Sequence, residues 1–429
     1  MLSRRALLAS GLAGWTVSGA PLTPALAQTP TERSAMTDFQ RARYLPLLAY
    51  YQAQAEAEGG GYWESLAQVQ AMLGLEAEAF RSVFRSGPNG GSPYGPRPAW
   101  DDAELASATT EPALAAIAEA AKGRQIVILN EAHHTSRCRA FAQDVAAVLR
   151  KEGFTHFAAE AFANSPLRLG EPLDLKVING NTGFYLHDPV FAQLTRQIRK
   201  DWDGCYAYEF TGEPRAGAST AERMAERDEF QAEVLANLLK RQHGLRLFIY
   251  CGFSHAAKVQ RGQSKWMAAR LWEKTGIEPL AITQAFGTPA PDRAYSPPGV
   301  EEVLAKFKPR RSIVVRTADG QALTNEPAPE GAYDLAVYHP RPAEPTGQGR
   351  PEWLREMAGR KPYAVQVVPR KPGLKLIAAF PKAELEADPN SLPTDLVLVS
   401  DLRPTVNLLL PNGAWPDYEF LVETPEGRA

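Results

Sequence analysis

The chain holds seven histidines, and three of them follow short apolar runs. His133 and His134 stand in Asn130-Glu131-Ala132-His133-His134, and His255 stands in Cys251-Gly252-Phe253-Ser254-His255. Two further apolar runs end on carboxylates, Glu160 and Glu209. Two or three imidazoles with two or three carboxylates suit a divalent transition metal with nitrogen and oxygen ligands. A metal so held lowers the pKa of its bound water and makes it a nucleophile for hydrolysis. A carboxylate that does not ligate the metal can act as general base. Without metal, a glutamate can orient an imidazole as an acid–base pair. The expected metal ligands are Glu131, His133, Glu160 and His255, and the expected catalytic groups are His134, Glu131 and Glu209. Adjacent histidines point differently, so one of His133 and His134 faces the site, and spacing leaves open which.

Other groups read as structural. A carboxylate beside an apolar strand is costly unless paired, and Arg137 or Arg139 is a candidate partner for Glu131 or Glu160. Tyr208 is expected in the core, with donation to an oxyanion as its functional alternative. Cys251 reads as a small buried hydrophobe without a local base. His187 is a weaker supporting candidate, while His156, His243 and His339 read as structural or surface. Arg223 and Arg227 fall on a mostly polar helix and read as a solvated face.

The elements that must carry these groups alternate. Short runs of strand formers at 125–129, 154–159, 206–210 and 245–250 are separated by helical patterns at 137–152, 188 onward and 220–243. Further strands are expected at 279–283, 312–316 and 333–338, with a helix at 264–275. Asp188-Pro189 is a cap followed by a first-position proline, and Gly153, Gly244 and Gly276 are stops. This alternation predicts an α/β fold with a mainly parallel sheet flanked by helices. In such sheets ligands sit at the carboxyl ends of the strands, where all the groups above fall. Residues 38–86 read as helical, and 86–98 as a loop. After Pro340 a proline-rich stretch leads to strand candidates at 363–368, 374–380, 395–400, 406–410 and 418–422, with a turn at Pro411-Asn412-Gly413. The expected division is therefore 1–27, an export signal; 28–110, a helical N-terminal segment and linker; 111–340, the α/β core; and 341–429, a small C-terminal β module.

Composition limits the function class. With 47 Lys+Arg against 49 Asp+Glu in 429 residues, the formal charge is −2, too near neutral for nucleic-acid binding. Apolar residues make up 44% and charged residues 22%, the mix of a globular chain. The odd number of cysteines, Cys138, Cys205 and Cys251, rules out a framework of paired disulfides. Residues 1–27 have a basic start at Arg4-Arg5, an apolar stretch and Ala25-Leu26-Ala27 as a cleavage site. They resemble a twin-arginine export signal, with an ordinary Sec signal as the alternative, so a periplasmic or secreted protein is expected. No other stretch of about 18 uncharged apolar residues exists to span a membrane.

Asn130-Glu131-Ala132-His133, Gly252-Phe253-Ser254-His255 and Glu160 together resemble the motifs of the superfamily joining erythromycin-esterase-like, TraB–Tiki and ChaN-like haem-binding uptake proteins. That family carries two G-x-x-H motifs, the first usually G-E-x-H, and a glutamate ending the next strand; Asn130 replaces the first glycine here. The likeness spans roughly residues 111–290. It implies an α/β core. The esterase-like branch would select His134 as general base, and the Tiki-like branch His133. It further implies a metal-dependent hydrolase of esters or amides acting on a small-molecule or peptide substrate, or alternatively a haem- or iron-binding protein. A non-catalytic scaffold is the third reading.

Overall fold

Strands buried on both faces form the centre of the molecule. The structure is a computed structural model that describes residues 30–87, 94, 102–213, 215–242, 244–260, 262, 264–342, 350–357, 359–366, 373–400, 405–411 and 417–428. The expected export signal, most of the 86–98 loop, residues 343–349 of the proline-rich stretch, Asn412-Gly413 and His243 lie outside the described residues.

Helices α1 (Glu32–Gln40), α2 (Leu45–Glu58), α3 (Gly61–Met72), α4 (Glu76–Arg85) and α5 (Asp102–Ser107) precede the sheet. The α/β part then runs β1 (Thr109–Pro112), α6 (Ala113–Ala121), β2 (Ile126–Glu131), α7 (Ser136–Lys151), β3 (His156–Ala159), α8 (Pro189–Asp201), β4 (Gly204–Ala207), α9 (Thr220–Arg241), β5 (Leu247–Gly252), α10 (Met267–Thr275), β6 (Leu280–Thr283), α11 (Val300–Phe307), β7 (Ile313–Arg316) and β8 (Leu335–Tyr338). Then come α12 (Trp353–Glu356), β9 (Arg360–Gln366), β10 (Lys375–Pro381), α13 (Lys382–Ala387), β11 (Asp395–Val399), β12 (Thr405–Pro411), β13 (Tyr418–Thr424) and β14 (Gly427–Arg428).

The eight-stranded sheet has the order β1-β7-β8-β6-β2-β5-β3-β4. Strands β8, β6, β2, β5, β3 and β4 are parallel, and β7 and β1 add antiparallel at one edge. Every residue of β2 and β5 is buried. Their side chains alternate between two apolar clusters, as the two-residue period of a strand requires. Val127, Leu129, Phe248 and Tyr250 pack with α2, α3, α7 and α8, while Ile126, Ile128, Leu247 and Ile249 pack with α9 and α10. The chain leaves β2 toward β3 and β4, returns to insert β5, then crosses to β6 on the other side of β2. The helices that follow β2 and β5 thus pack on opposite faces, the arrangement at whose strand ends open α/β sheets take their ligands.

The C-terminal strands form a four-stranded sheet, β11-β10-β13-β14, and a pair, β12-β9, all antiparallel. One face of β10 (Leu376, Ala378, Phe380) joins the same apolar cluster as Val127 and Phe248. The other face (Ile377, Ala379) packs with Val406 and Leu408. Among the described residues no helix is long and apolar enough to cross a membrane.

Candidate active site

Register sets the first part of the site. Glu131, the last residue of β2, lies opposite Gly252, the last residue of β5. Ala159 lies opposite Tyr250 and Ala207, so Glu160 emerges at the same edge.

Glu131 is almost wholly buried and its carboxylate is fully engaged. Arg139 on α7 donates from Nε to Oε2 (2.9 Å) and from Nη2 to Oε1 (2.8 Å), and the Tyr250 hydroxyl donates to Oε2 (2.8 Å). His133 Nδ1 lies 2.9 Å from Oε1. Burial pushes the Glu131 carboxyl up, but Arg139 and His133 outweigh it and bring it down to about 2. Glu131 is therefore an acceptor only, so Nδ1 of His133 donates to it and Nε2 is the ring nitrogen left facing Gly252. The ring stacks on Tyr185 (4.3 Å between centroids) and meets Phe253 edge-on (5.2 Å). Arg139 itself has no solvent exposure and also donates from Nη1 to Asp188 (2.8 Å). Asp188 caps α8 through the Val190 amide (2.8 Å) and accepts from Ser136 Oγ (2.5 Å).

The second part is built around Arg227 on α9. Its Nε donates to Glu209 Oε1 (2.7 Å), and Nη2 contacts both Glu160 and Glu209. Its Nη1 lies 2.9 Å from His255 Nε2. Glu160 also accepts from the Gly252 amide (2.7 Å). Burial raises the Glu160 carboxyl, but His255 and Arg227 more than reverse this and lower it to about 2. His255 Nδ1 lies 2.6 Å from Asp228 Oδ1, which also accepts from the Met267 amide (2.9 Å). Burial pushes the His255 imidazole down, yet the Glu160 and Asp228 carboxylates raise it above the ordinary histidine value.

The two parts meet at Gly252. A Cβ placed there would lie 2.5 Å from His133 Nε2 and 3.6 Å from Glu160 Oε2. Its backbone (φ −82°, ψ 147°) suits any residue, so the glycine is required by space and not by conformation. Glu131, His133, Glu160, His255 and Glu209 are thus brought to one edge of the sheet. His134 is not. It turns the opposite way, its Nε2 lies 2.9 Å from the Tyr94 hydroxyl, and its ring packs edge-on against Phe80. Burial lowers its pKa to about 3, so it is a neutral core group. His187 also lies in the core, stacked on Phe39 at 3.7 Å. Tyr208 is buried and donates to the Tyr250 carbonyl (2.8 Å), and Cys251 is buried.

Arg227, expected on a solvated face, instead reaches into the site, and Asp228 was not anticipated. A signal existed for Asp228 and Arg139. Asp228 is spaced with Ala232, Leu235 and Leu239 on the apolar stripe of α9, and Arg139 with Ala142, Ala146 and Leu149 on that of α7. A charged residue on a buried stripe must find a partner there.

The donor set bears on the expected divalent metal. Both oxygens of Glu131 are taken by Arg139, Tyr250 and His133, and those of Glu160 by Gly252 and Arg227. Guanidinium groups stand where a metal would need open lone pairs, so the residues as arranged do not fit one. Among the described residues no group of three or more His, Cys, Asp and Glu is placed to hold a metal ion.

No protein-family model matches the chain, and no curated protein matches it. Among solved structures, it is similar to RRSP, a MARTX toxin effector domain from Vibrio vulnificus CMCP6, at 13% identity and a TM-score of 0.30 over 55% of this chain and 54% of that one. It is also similar to a structure described as bacterial protein toxins, at 14% identity and a TM-score of 0.30 over 59% of this chain and 56% of that one. The chain thus spans little more than half the length of either.

Proposed function

We propose that the protein is an exported hydrolase of ester or amide bonds whose working base is His133, oriented by Glu131. The observation that supports it is the Glu131–His133 pair, its Nε2 at Gly252 beside the Glu160–Arg227–His255–Asp228 unit. In this reading water gives a proton to His133 Nε2 while its oxygen adds to the substrate carbonyl carbon. The charge that develops on the carbonyl oxygen is met by Arg227, whose side chain is 26% exposed. The tetrahedral adduct then collapses, and His133 passes its proton to the leaving alkoxide or amine. Export rests on residues 1–27 and is tested by the N-terminal sequence of the mature protein.

The experiment joins metal analysis of purified protein to an ester and peptide hydrolysis panel on wild type, His133→Ala and His255→Ala. Turnover by metal-free wild type, lost in His133→Ala, is expected. Turnover that needs stoichiometric metal would restore the metal-dependent reading with Glu131, His133, Glu160 and His255 as ligands. No turnover, with a Soret band on haem titration that disappears in His133→Ala, would favour haem uptake. No turnover and no spectral change would leave a scaffold.

A further inference from the structure

Phe253 packs on one imidazole, His133, and lies two residues before the other, His255. It follows the last residue of β5, and its φ of 39° is left-handed. A bulky aromatic residue holds that conformation only where its surroundings impose it. Its ring meets His133 edge-on, and His255 follows two residues later in the same turn, Phe253–Ala256. The backbone of this one residue therefore fixes the position of one imidazole relative to the other.

What holds it is a buried polar cluster from segments distant in sequence. Asn130, on β2, donates from Nδ2 to the Phe253 carbonyl (2.8 Å) and to Thr283 Oγ1 (3.0 Å). Its Oδ1 accepts from the amides of Gln284 (2.8 Å) and Ala285 (3.2 Å), so the side chain uses both donors and both lone pairs. Glu326, between β7 and β8, accepts from Ser254 Oγ (2.9 Å), Thr283 Oγ1 (3.0 Å) and the Tyr333 hydroxyl (2.7 Å). Asn130, Thr283 and Glu326 are each 3% exposed or less. A glycine at 130 would leave the Phe253 carbonyl without this donor and Thr283 without its second partner.

We propose that Asn130, Thr283 and Glu326 form a positioning clamp that imposes the left-handed turn at Phe253 and thereby sets the spacing of His133 and His255. The functional meaning of that spacing rests on the hydrolase reading, but the clamp is testable without turnover. Asn130→Asp is nearly isosteric and keeps the acceptor toward Gln284 and Ala285, yet deletes the donor to Phe253. The imidazole carbon-bound protons of labelled protein are followed by NMR. In Asn130→Asp the His133 and His255 resonances should move together, while that of His156, at the opposite end of the sheet beside Leu247, holds still. Phe253→Gly removes the strain that the clamp opposes, so in that background Asn130→Asp should shift His255 much less. Where a substrate is in hand, Asn130→Asp should lower kcat roughly ten- to a hundredfold with KM little changed. If Asn130→Asp fails to fold, Thr283→Val reads the same clamp from β6. A folded variant with unmoved His133 and His255 resonances overturns the clamp and leaves the hydrolase reading intact. An inactive wild type overturns that reading and leaves the resonance result intact.

Discussion

Replacing Arg139 with methionine would strip Glu131 and Asp188 of the guanidinium they share. The three groups are 0%, 2% and 1% exposed, so water cannot replace the lost partner. Removing one member of a buried ion pair costs about 3–5 kcal/mol. The Glu131 carboxyl points the same way: against its burial, Arg139 first, and His133 with it, bring it from 4.5 down to about 2. Spread over an unfolding entropy of about 2 cal/mol/K per residue for 429 residues, a loss of about 3–5 kcal/mol lowers the thermal midpoint by about 3–6 °C. Because the folded pKa lies below the unfolded one, the stabilisation is complete above about pH 4.5 and is lost as pH falls toward 2. In Arg139→Met the sign reverses. Two buried carboxylates without a cation favour the protonated form, so the deficit should be largest near pH 8 and should shrink toward pH 5. Scanning calorimetry of both proteins at the two pH values measures this. Equal midpoints at pH 8, or a gap that widens in acid, would refute the argument that Arg139 neutralises the base of the site.

Glu76 behaves in the opposite sense: burial pushes its carboxyl up to about 7 although Trp353 and Arg137 oppose this, so its contribution to stability falls as pH rises from about 4.5 through 7. Glu76→Gln should flatten that slope and abolish a titration of Trp353 fluorescence near neutrality, Trp353 Nε1 being 3.2 Å from the carboxylate. His134→Phe should keep hydrolytic kcat within about twofold, whereas His133→Phe should abolish it, as steady-state rates will tell. Cys138, Cys205 and Cys251 are buried, with burial pushing the first two thiols up to about 11 and 12, so a thiol reagent should label none of the three in the native protein and all after denaturation.

The sheet was legible where burial on both faces writes a continuous apolar run, as in β2 and β5. It was less so at β4. Tyr206 and Tyr208 both read as strand formers, yet pairing with β3 ends at Ala207, and Glu209 lies beyond it. The antiparallel edge was hidden for a different reason. Residues Thr109–Pro112 carry no apolar run and are largely exposed, and only their pairing with β7 makes them a strand. Neighbouring residues His133 and His134 could not be told apart by spacing. What separates them is that Glu131 and Tyr185 receive one ring, and Phe80 and Tyr94, from distant segments, receive the other.

Arg139 was legible as a partner for Glu131, and Arg227 was not, because reading strand ends one at a time collects only what strands deliver and a polar helix hides which of its residues turns inward. Arg139 and Arg227 arrive from helices on opposite faces of the sheet, and each serves more carboxylates than it can neutralise. Arg139 faces Glu131 and Asp188; Arg227 faces Glu160 and Glu209, with Asp228 behind His255. Both halves therefore keep a surplus of negative charge, and an imidazole stands at each. In a region of low dielectric such a surplus favours a proton arriving on the ring. For His255 the surplus already raises the pKa against the cost of burial. For His133 the geometry gives the partner: Glu131, kept ionised by Arg139, would hold that ring in place through Nδ1 during the proposed step.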